Sequence, residues 1–100
     1  MLEKDIEKFL VREVKKLGGL CYKWVSPGNA GVPDRIVLLP NRPVMFVELK
    51  TDTGKLSRLQ GIQIKKLKAI TEHVYVLRGL EEVRGFIKWN LDHINTSNTV

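Results

Sequence analysis

Residues 31–50 of the chain read GVPDRIVLLPNRPVMFVELK, and the rest of the predicted sheet is built outward from this stretch. Two apolar segments rich in β-branched residues, 32–39 and 44–50, flank the sequence PNRP, whose two prolines favour a tight reversal. The stretch therefore predicts a β-hairpin. Two acids and a lysine lie among these apolar residues, where a core is expected, and they require a chemical explanation: Asp34, Glu48 and Lys50.

The register of the hairpin follows from a reversal centred on Asn41. It places three pairs of residues directly opposite each other: Ile36 with Phe46, Leu38 with Val44, and Asp34 with Glu48. The apolar pairs share one face of the hairpin, and the two acids lie at the end of that face. Opposed residues have Cβ atoms about 5 Å apart, so the two carboxylates should repel each other. Such repulsion raises one pKa or requires a positively charged partner.

A divalent cation is one partner that satisfies this requirement. Carboxylate oxygens at this separation suit Mg²⁺ or Mn²⁺, which bind one or two carboxylates and leave positions for water and phosphate. Lys50 lies two residues after Glu48 and projects to the same face, where it can orient or deprotonate a water molecule that attacks a phosphate. A plainer interpretation stays open, in which Asp34 pairs with Arg35 or Lys50 at a solvent-exposed strand end.

The other elements are predicted from apolar periodicity and from breaker residues. Apolar residues spaced three and four apart predict a helix over 2–17 that ends at Gly18-Gly19. Later elements are expected in this order: strand 20–25, loop 26–31, helix 57–70 after the hairpin, strand 74–78 and helix 80–94. The chain is thus predicted to be an α/β protein of order αβββαβα, with a mixed four-stranded sheet flanked by helices. Residues 1–94 would form one domain, and the polar residues 95–100 would form a frayed C-terminal tail.

Composition narrows the class of partner. Seventeen Lys and Arg against eleven Asp and Glu give a net charge of +6, which favours a polyanion such as nucleic acid, although an inert basic surface has the same composition. The single cysteine excludes an intramolecular disulfide framework and a cysteine-based zinc site. No apolar run approaches the roughly 18 residues of a membrane span, so we expect a soluble intracellular protein with no membrane partner.

Several motifs around the hairpin resemble those of a known family. The resemblance to the VRR-NUC family, the virus-type replication-repair nucleases of the PD-(D/E)xK superfamily, is carried by GVPD at 31–34, VELK at 47–50, Gly54, and Leu56-Ser57 with Gln60. It implies a restriction-endonuclease-like fold and a Mg²⁺- or Mn²⁺-dependent endodeoxyribonuclease that uses no small-molecule cofactor. It also implies that the protein is located in the cytoplasm of a bacterial or phage-infected cell.

The resemblance also implies roles for individual residues. Asp34 and Glu48 would be metal ligands together with the backbone carbonyl of Leu49, Lys50 would be the catalytic lysine, and Gln60 and Glu7 would complete the site. Glu7 would approach the metal directly or through a water molecule. The residues alone leave two alternatives open, because Gln60 lies three positions after Ser57 and can form a capping box. In the first helix, Glu3 and Glu13 compete with Glu7 for the same position.

Basic and small polar residues near these motifs are candidates for nucleic-acid contact: Lys23, Ser26, Asn29, Lys55 and Arg58. Such side chains can bind the phosphate backbone without reading base sequence. The alternatives are an ordinary turn over the loop 26–31 and lysines that are merely solvated. No base-reading motif such as a zinc finger is recognisable, so we expect recognition of DNA shape rather than of sequence.

Branched DNA is the expected substrate, and a homodimer the expected form. Stand-alone members of the resembled family are similar in function to dimeric Holliday-junction resolvases, in which a two-fold axis relates two active sites. One alternative is a monomeric flap or nicking endonuclease. Others are a non-catalytic nucleic-acid-binding module and a protein–protein adaptor.

Overall fold

The computed structural model describes residues 1–97, with side chains through residue 94. Its elements follow the predicted order αβββαβα: α1 (Glu3–Lys16), β1 (Leu20–Lys23), β2 (Arg35–Leu38), β3 (Met45–Lys50), α2 (Arg58–Lys68), β4 (Val74–Arg78) and α3 (Gly79–Ser97). The predicted fold class is confirmed. Residues 95–97 were predicted to belong to a frayed tail, but they are part of helix α3. The remaining residues of the predicted tail, 98–100, lie outside the described residues.

The four strands form one mixed sheet in the order β1-β2-β3-β4. The first three strands form an antiparallel meander, and β4 lies parallel to β3 after the crossover through α2. The hairpin register is the predicted one, since Arg35 pairs with Val47, Ile36 with Phe46 and Val37 with Met45. Asn41 lies at the reversal with a φ of 58°, a conformation that asparagine tolerates better than most residues.

The main core lies on the hairpin face that was not singled out from the sequence. The best-buried strand residues, each at most 5% exposed, are Val37, Leu39, Met45, Val47 and Leu49. The opposite face carries Ile36, Leu38, Val44 and Phe46, where Val44 is 47% exposed. Both faces are apolar, so strand periodicity alone could not choose between them. The choice is made by the helices, because α1 contacts β3 and α3 packs against both α1 and β4.

The second face of the sheet is covered more thinly. Trp24 packs on Phe46 with ring centroids 5.1 Å apart. Val74 pairs with Phe46 in the parallel ladder and is buried, while α2 packs against β4. The outer strand β1 leaves Leu20 and Tyr22 about half exposed.

Helix α1 forms because its apolar residues recur on one side. Ile6, Leu10 and Val14 are all buried in the core, and burying each aliphatic side chain contributes about 1.5–3 kcal/mol. The helix ends where Gly18 adopts a φ of 83°. At its start, Leu2 is the N-cap residue and its side chain makes no capping hydrogen bond. Within residues 1–97, no helix is both long enough and apolar enough to cross a bilayer.

Candidate metal centre and active site

Three carboxylates from three different elements converge at one end of the hairpin. They belong to Glu3 in the first turn of α1, Asp34 immediately before β2, and Glu48 in β3. One carboxylate oxygen of each lies within 4.8 Å of the others. The predicted pair Asp34 and Glu48 is therefore brought together, and Glu3 joins it from α1.

Backbone hydrogen bonds hold Asp34 between two strands. Its Oδ2 accepts the backbone N–H of Leu49 at 2.9 Å, and its carbonyl oxygen accepts the N–H of Trp24 at 2.9 Å. Burial raises the pKa of the Asp34 carboxyl, the Leu49 N–H opposes this rise, and the negative charge of Glu7 adds to it. Two backbone hydrogen bonds thus fix Asp34 at this end of the hairpin.

Glu48 lies in the most unusual environment of the site. Its side chain is 0% exposed, and neither Oε1 nor Oε2 accepts a hydrogen bond. Burial, and then the charge of Asp34, raise the pKa of Glu48 to about 7. An ionised carboxylate in such a place is costly unless a cation compensates it.

Lys50 supplies part of that compensation. Its Nζ lies 3.6 Å from Oε2 of Glu48, and its side chain is only 12% exposed. One ammonium group beside three carboxylates leaves an excess of negative charge. Buried carboxylate oxygens without hydrogen-bond donors fit a hard divalent cation such as Mg²⁺ or Mn²⁺, which prefers oxygen ligands. The residues present therefore suit the metal that the sequence implied.

Glu7, which the resemblance assigned to this site, lies beside it: its charge adds to the raised pKa of the Asp34 carboxyl, and a role toward the metal stays a prediction. Its Oε1 accepts a hydrogen bond from Nη2 of Arg35 at 2.6 Å, and it is not part of the group of three carboxylates. Glu3, one helical turn earlier, occupies the position expected for Glu7. The sequence had marked Glu3 as a competitor, but helical spacing alone could not decide between them because both face the same side of α1.

Gln60 forms the capping box that the residues alone suggested. Its Oε1 accepts the N–H of Ser57 at 2.8 Å, and Oγ of Ser57 accepts the N–H of Gln60 at 3.2 Å. This N-terminus lies against the loop that leads to Asp34, since a Cβ on Gly31 would lie 2.5–2.8 Å from the backbone of residues 59 and 60. A catalytic role for Gln60 stays a prediction, as does metal binding by the carbonyl of Leu49.

The candidate DNA-contacting residues lie on segments of the chain that precede Asp34 or follow Lys50. The predicted turn is present, because Asn29 donates from its backbone N–H to the Ser26 carbonyl and from Nδ2 to Oγ of Ser26, both at 3.0 Å. Lys23 is exposed at the end of β1, and Lys55 and Arg58 are exposed around the start of α2. Their contact with nucleic acid stays a prediction.

The contacts of two arginines near the site were not predicted from the sequence. Arg35, which the sequence offered as a partner of Asp34, binds Glu7, and Arg78 is the ladder partner of Lys50. Nε of Arg78 donates to the carbonyl of Gly54 at 3.0 Å, which ties the loop after β3 to the end of β4. No local pattern could have revealed either contact, because the partners lie 28 and 24 residues apart.

Comparison with known proteins agrees with this geometry. No family model matches the chain. A protein named "Putative nuclease p44" from Acyrthosiphon pisum secondary endosymbiont phage 1 is 49% identical over 75 residues, which are 75% of this chain and 81% of the relative. A solved structure described as a VRR_NUC domain superposes with a TM-score of 0.80 at 28% identity, over 86% of this chain and 94% of the other. The chain with the GVPD and VELK segments thus belongs to the VRR-NUC family.

Proposed function

We propose that this nuclease hydrolyses phosphodiester bonds in branched DNA as a Mg²⁺- or Mn²⁺-dependent endonuclease. One observation carries the proposal: three carboxylates lie within 4.8 Å of one another, and one of them, Glu48, is fully buried with no hydrogen-bond donor. A lysine beside such a group can orient or deprotonate the water that attacks a phosphodiester while a bound cation stabilises the developing charge.

Glu3, Asp34 and Glu48 would hold the cation, with the Leu49 carbonyl as a further candidate ligand. When bound, a divalent cation polarises a phosphoryl oxygen, stabilises the charge that develops on it and lowers the pKa of bound water. Two of the three carboxylates are held in place without metal, because Asp34 accepts the Leu49 N–H and the Glu48 side chain is fully buried. Such preorganisation reduces the cost of binding.

Lys50 acts on the water or on the phosphate. Its Nζ is held near Glu48 and is mostly shielded from solvent, so it can donate a hydrogen bond to a non-bridging phosphate oxygen or orient the attacking water. Gln60 is the sixth candidate group of the site. Its Oε1 is engaged by Ser57, which leaves its amide nitrogen as the group that can contact water or phosphate.

The basic residues would hold the DNA backbone. Lys23, Lys55 and Arg58 are exposed, and Ser26 and Asn29 form the turn that precedes Asp34. Contacts to phosphates supply affinity that is independent of base sequence and that falls steeply with salt. The net charge of +6 supports this mode of binding.

A homodimer that resolves four-way junctions is the finer part of the proposal. The described part of the chain contains one cluster of three carboxylates suited to a metal, so one chain would cut one strand. Paired cuts across a two-fold symmetric junction require two such sites related by a two-fold axis. Homodimer formation would provide them.

The test uses labelled four-way junction, flap, duplex and single-stranded DNA, each incubated with Mg²⁺, Mn²⁺ or EDTA. We expect metal-dependent, paired nicks across the junction that are lost in Glu48→Gln. Glu81→Gln is a matched control, because this glutamate is 87% exposed and pairs with Arg84 on the surface of α3. Cuts on flaps or single strands alone would refute the junction and dimer proposal. Tight binding without cleavage in either metal would refute catalysis.

A further inference from the structure

The ion pair between Glu7 and Arg35 joins helix α1 to the sheet beside the carboxylate group. Oε1 of Glu7 lies 2.6 Å from Nη2 of Arg35, and the side chains are only 28% and 17% exposed. Nη1 of Arg35 also donates to the carbonyl of Cys21 in β1 at 3.3 Å. One guanidinium thus connects α1, β1 and β2. Because the pair is largely shielded from water, removing either partner would leave an uncompensated charge in a poorly solvated place, which is costly.

The start of α1 has few other polar anchors. Leu2 offers no side-chain cap, and Glu3 is the first residue of the helix. Ile6 is buried and anchors the apolar side of this turn, but apolar packing does not direct a carboxylate. Glu3 and Glu7 are four residues apart, so they are neighbours on the same side of α1, about one helical turn from each other. A contact that fixes Glu7 therefore also fixes the direction of Glu3.

We propose that Glu7 and Arg35 are positioning residues whose ion pair orients the first turn of α1 so that Glu3 reaches Asp34 and Glu48. Glu7 is thus not a ligand itself but acts through Glu3, and Arg35 acts through Glu7. This inference rests on the proposed metal site. Arg35 is positively charged and lies next to the proposed cation site, yet by this inference it strengthens cation binding.

If Arg35 acted through its charge alone, removing it would change the cation affinity in the opposite direction, and this makes the inference testable. Removing a positive charge near three carboxylates should favour a cation if the charge acts only at a distance. Removing the guanidinium should weaken cation binding if its contact with Glu7 holds Glu3 in place. The variant Arg35→Gln separates the two.

The experiment measures Mn²⁺ affinity of the full chain without DNA, by calorimetry or by electron paramagnetic resonance. We expect Arg35→Gln and Glu7→Gln each to weaken Mn²⁺ binding about 10-fold, as loss of groups that orient metal ligands does elsewhere. We also expect Glu3→Gln to have a large effect in the wild-type background and a much smaller one beside Arg35→Gln. The matched control is Arg12→Gln, because Arg12 lies on the same helix, is 64% exposed and pairs with Glu13.

Circular dichroism and thermal unfolding establish that each variant is folded. If Arg35→Gln does not fold, Arg35→Lys replaces it, since lysine keeps the charge but not the planar fork that contacts two elements. Weaker Mn²⁺ binding by Arg35→Lys supports the inference.

Unchanged or tighter Mn²⁺ binding by a folded Arg35 variant overturns it, and so do fully additive effects of Glu3→Gln and Glu7→Gln. Failure of the wild type to bind Mn²⁺ would instead refute the proposed metal site. Binding that is lost in Glu48→Gln but kept in Arg35→Gln and Glu7→Gln would refute the positioning role alone.

Discussion

Replacing Glu48 by glutamine should stabilise the metal-free protein at alkaline pH. The change keeps the size of a side chain that is 0% exposed, and it removes a charge for which no hydrogen-bond donor is present. Burial and the charge of Asp34 raise the pKa of Glu48 to about 7, against an ordinary value of 4.5. The folded protein therefore binds this proton more tightly than the unfolded chain does.

The sign and size follow from this difference. Between pH 4.5 and about 7 the unfolded chain loses the proton before the folded one, so the free energy of unfolding falls as the pH rises through this window. A pKa raised from 4.5 to about 7 corresponds to about 3 kcal/mol of lost stability above pH 7. Glutamine removes this penalty but also removes the partner of Lys50, at 3.6 Å, so we expect a net gain of about 1–2 kcal/mol at pH 8.

Urea unfolding in EDTA at a series of pH values between 4 and 8 measures this gain. The two proteins should have nearly equal free energies of unfolding at about pH 4, below the ordinary pKa of 4.5, and Glu48→Gln should become the more stable as the pH rises. Mn²⁺ at pH 8 should reverse the order, because a ligand stabilises only the protein that binds it. The exposed variant Glu81→Gln should follow the wild type throughout. A Glu48→Gln protein that is no more stable than wild type at pH 8 in EDTA would refute the reasoning.

Three further outcomes are expected. Asp34→Asn keeps an oxygen that can accept the backbone N–H but removes a charge, so DNA cleavage should fall by about 100-fold or more with little change in melting temperature; retained cleavage would exclude Asp34 as a ligand. Gly31→Ala should destabilise the fold by about 3 kcal/mol in urea unfolding, because φ is +92° and a Cβ would clash with the backbone of residues 59 and 60. Gly28→Ala is the control, since φ is +82° but the space around it is open, and it should cost only about 1 kcal/mol. Equal costs would show that the close approach of Gly31 to α2 is unimportant. Replacing Lys55 and Arg58 together by alanine should reduce the slope of log affinity against log salt by about 2, equally for all DNA forms; an unchanged slope would place the phosphate contacts elsewhere.

Local chemistry determined the hairpin and the pair of acids within it. The PNRP reversal and the two apolar strands specify which residues face each other, and the structure has that register. Once the register is known, Asp34 and Glu48 must meet, because both lie within a few residues of the same turn. The capping box of Ser57 and Gln60 could be predicted for the same reason, since all its atoms belong to four successive residues.

Contacts between distant elements decided the rest. The sequence could not choose the core face of the hairpin, because both faces are apolar and only the placement of α1 and α3 buries Val37 and Met45. It could not choose between Glu3 and Glu7, which face the same side of one helix. That choice depends on where β2 places Arg35, 28 residues from Glu7. Helical periodicity specifies the side of a helix on which a residue lies but not its position along a neighbouring strand, and only tertiary packing determines that position.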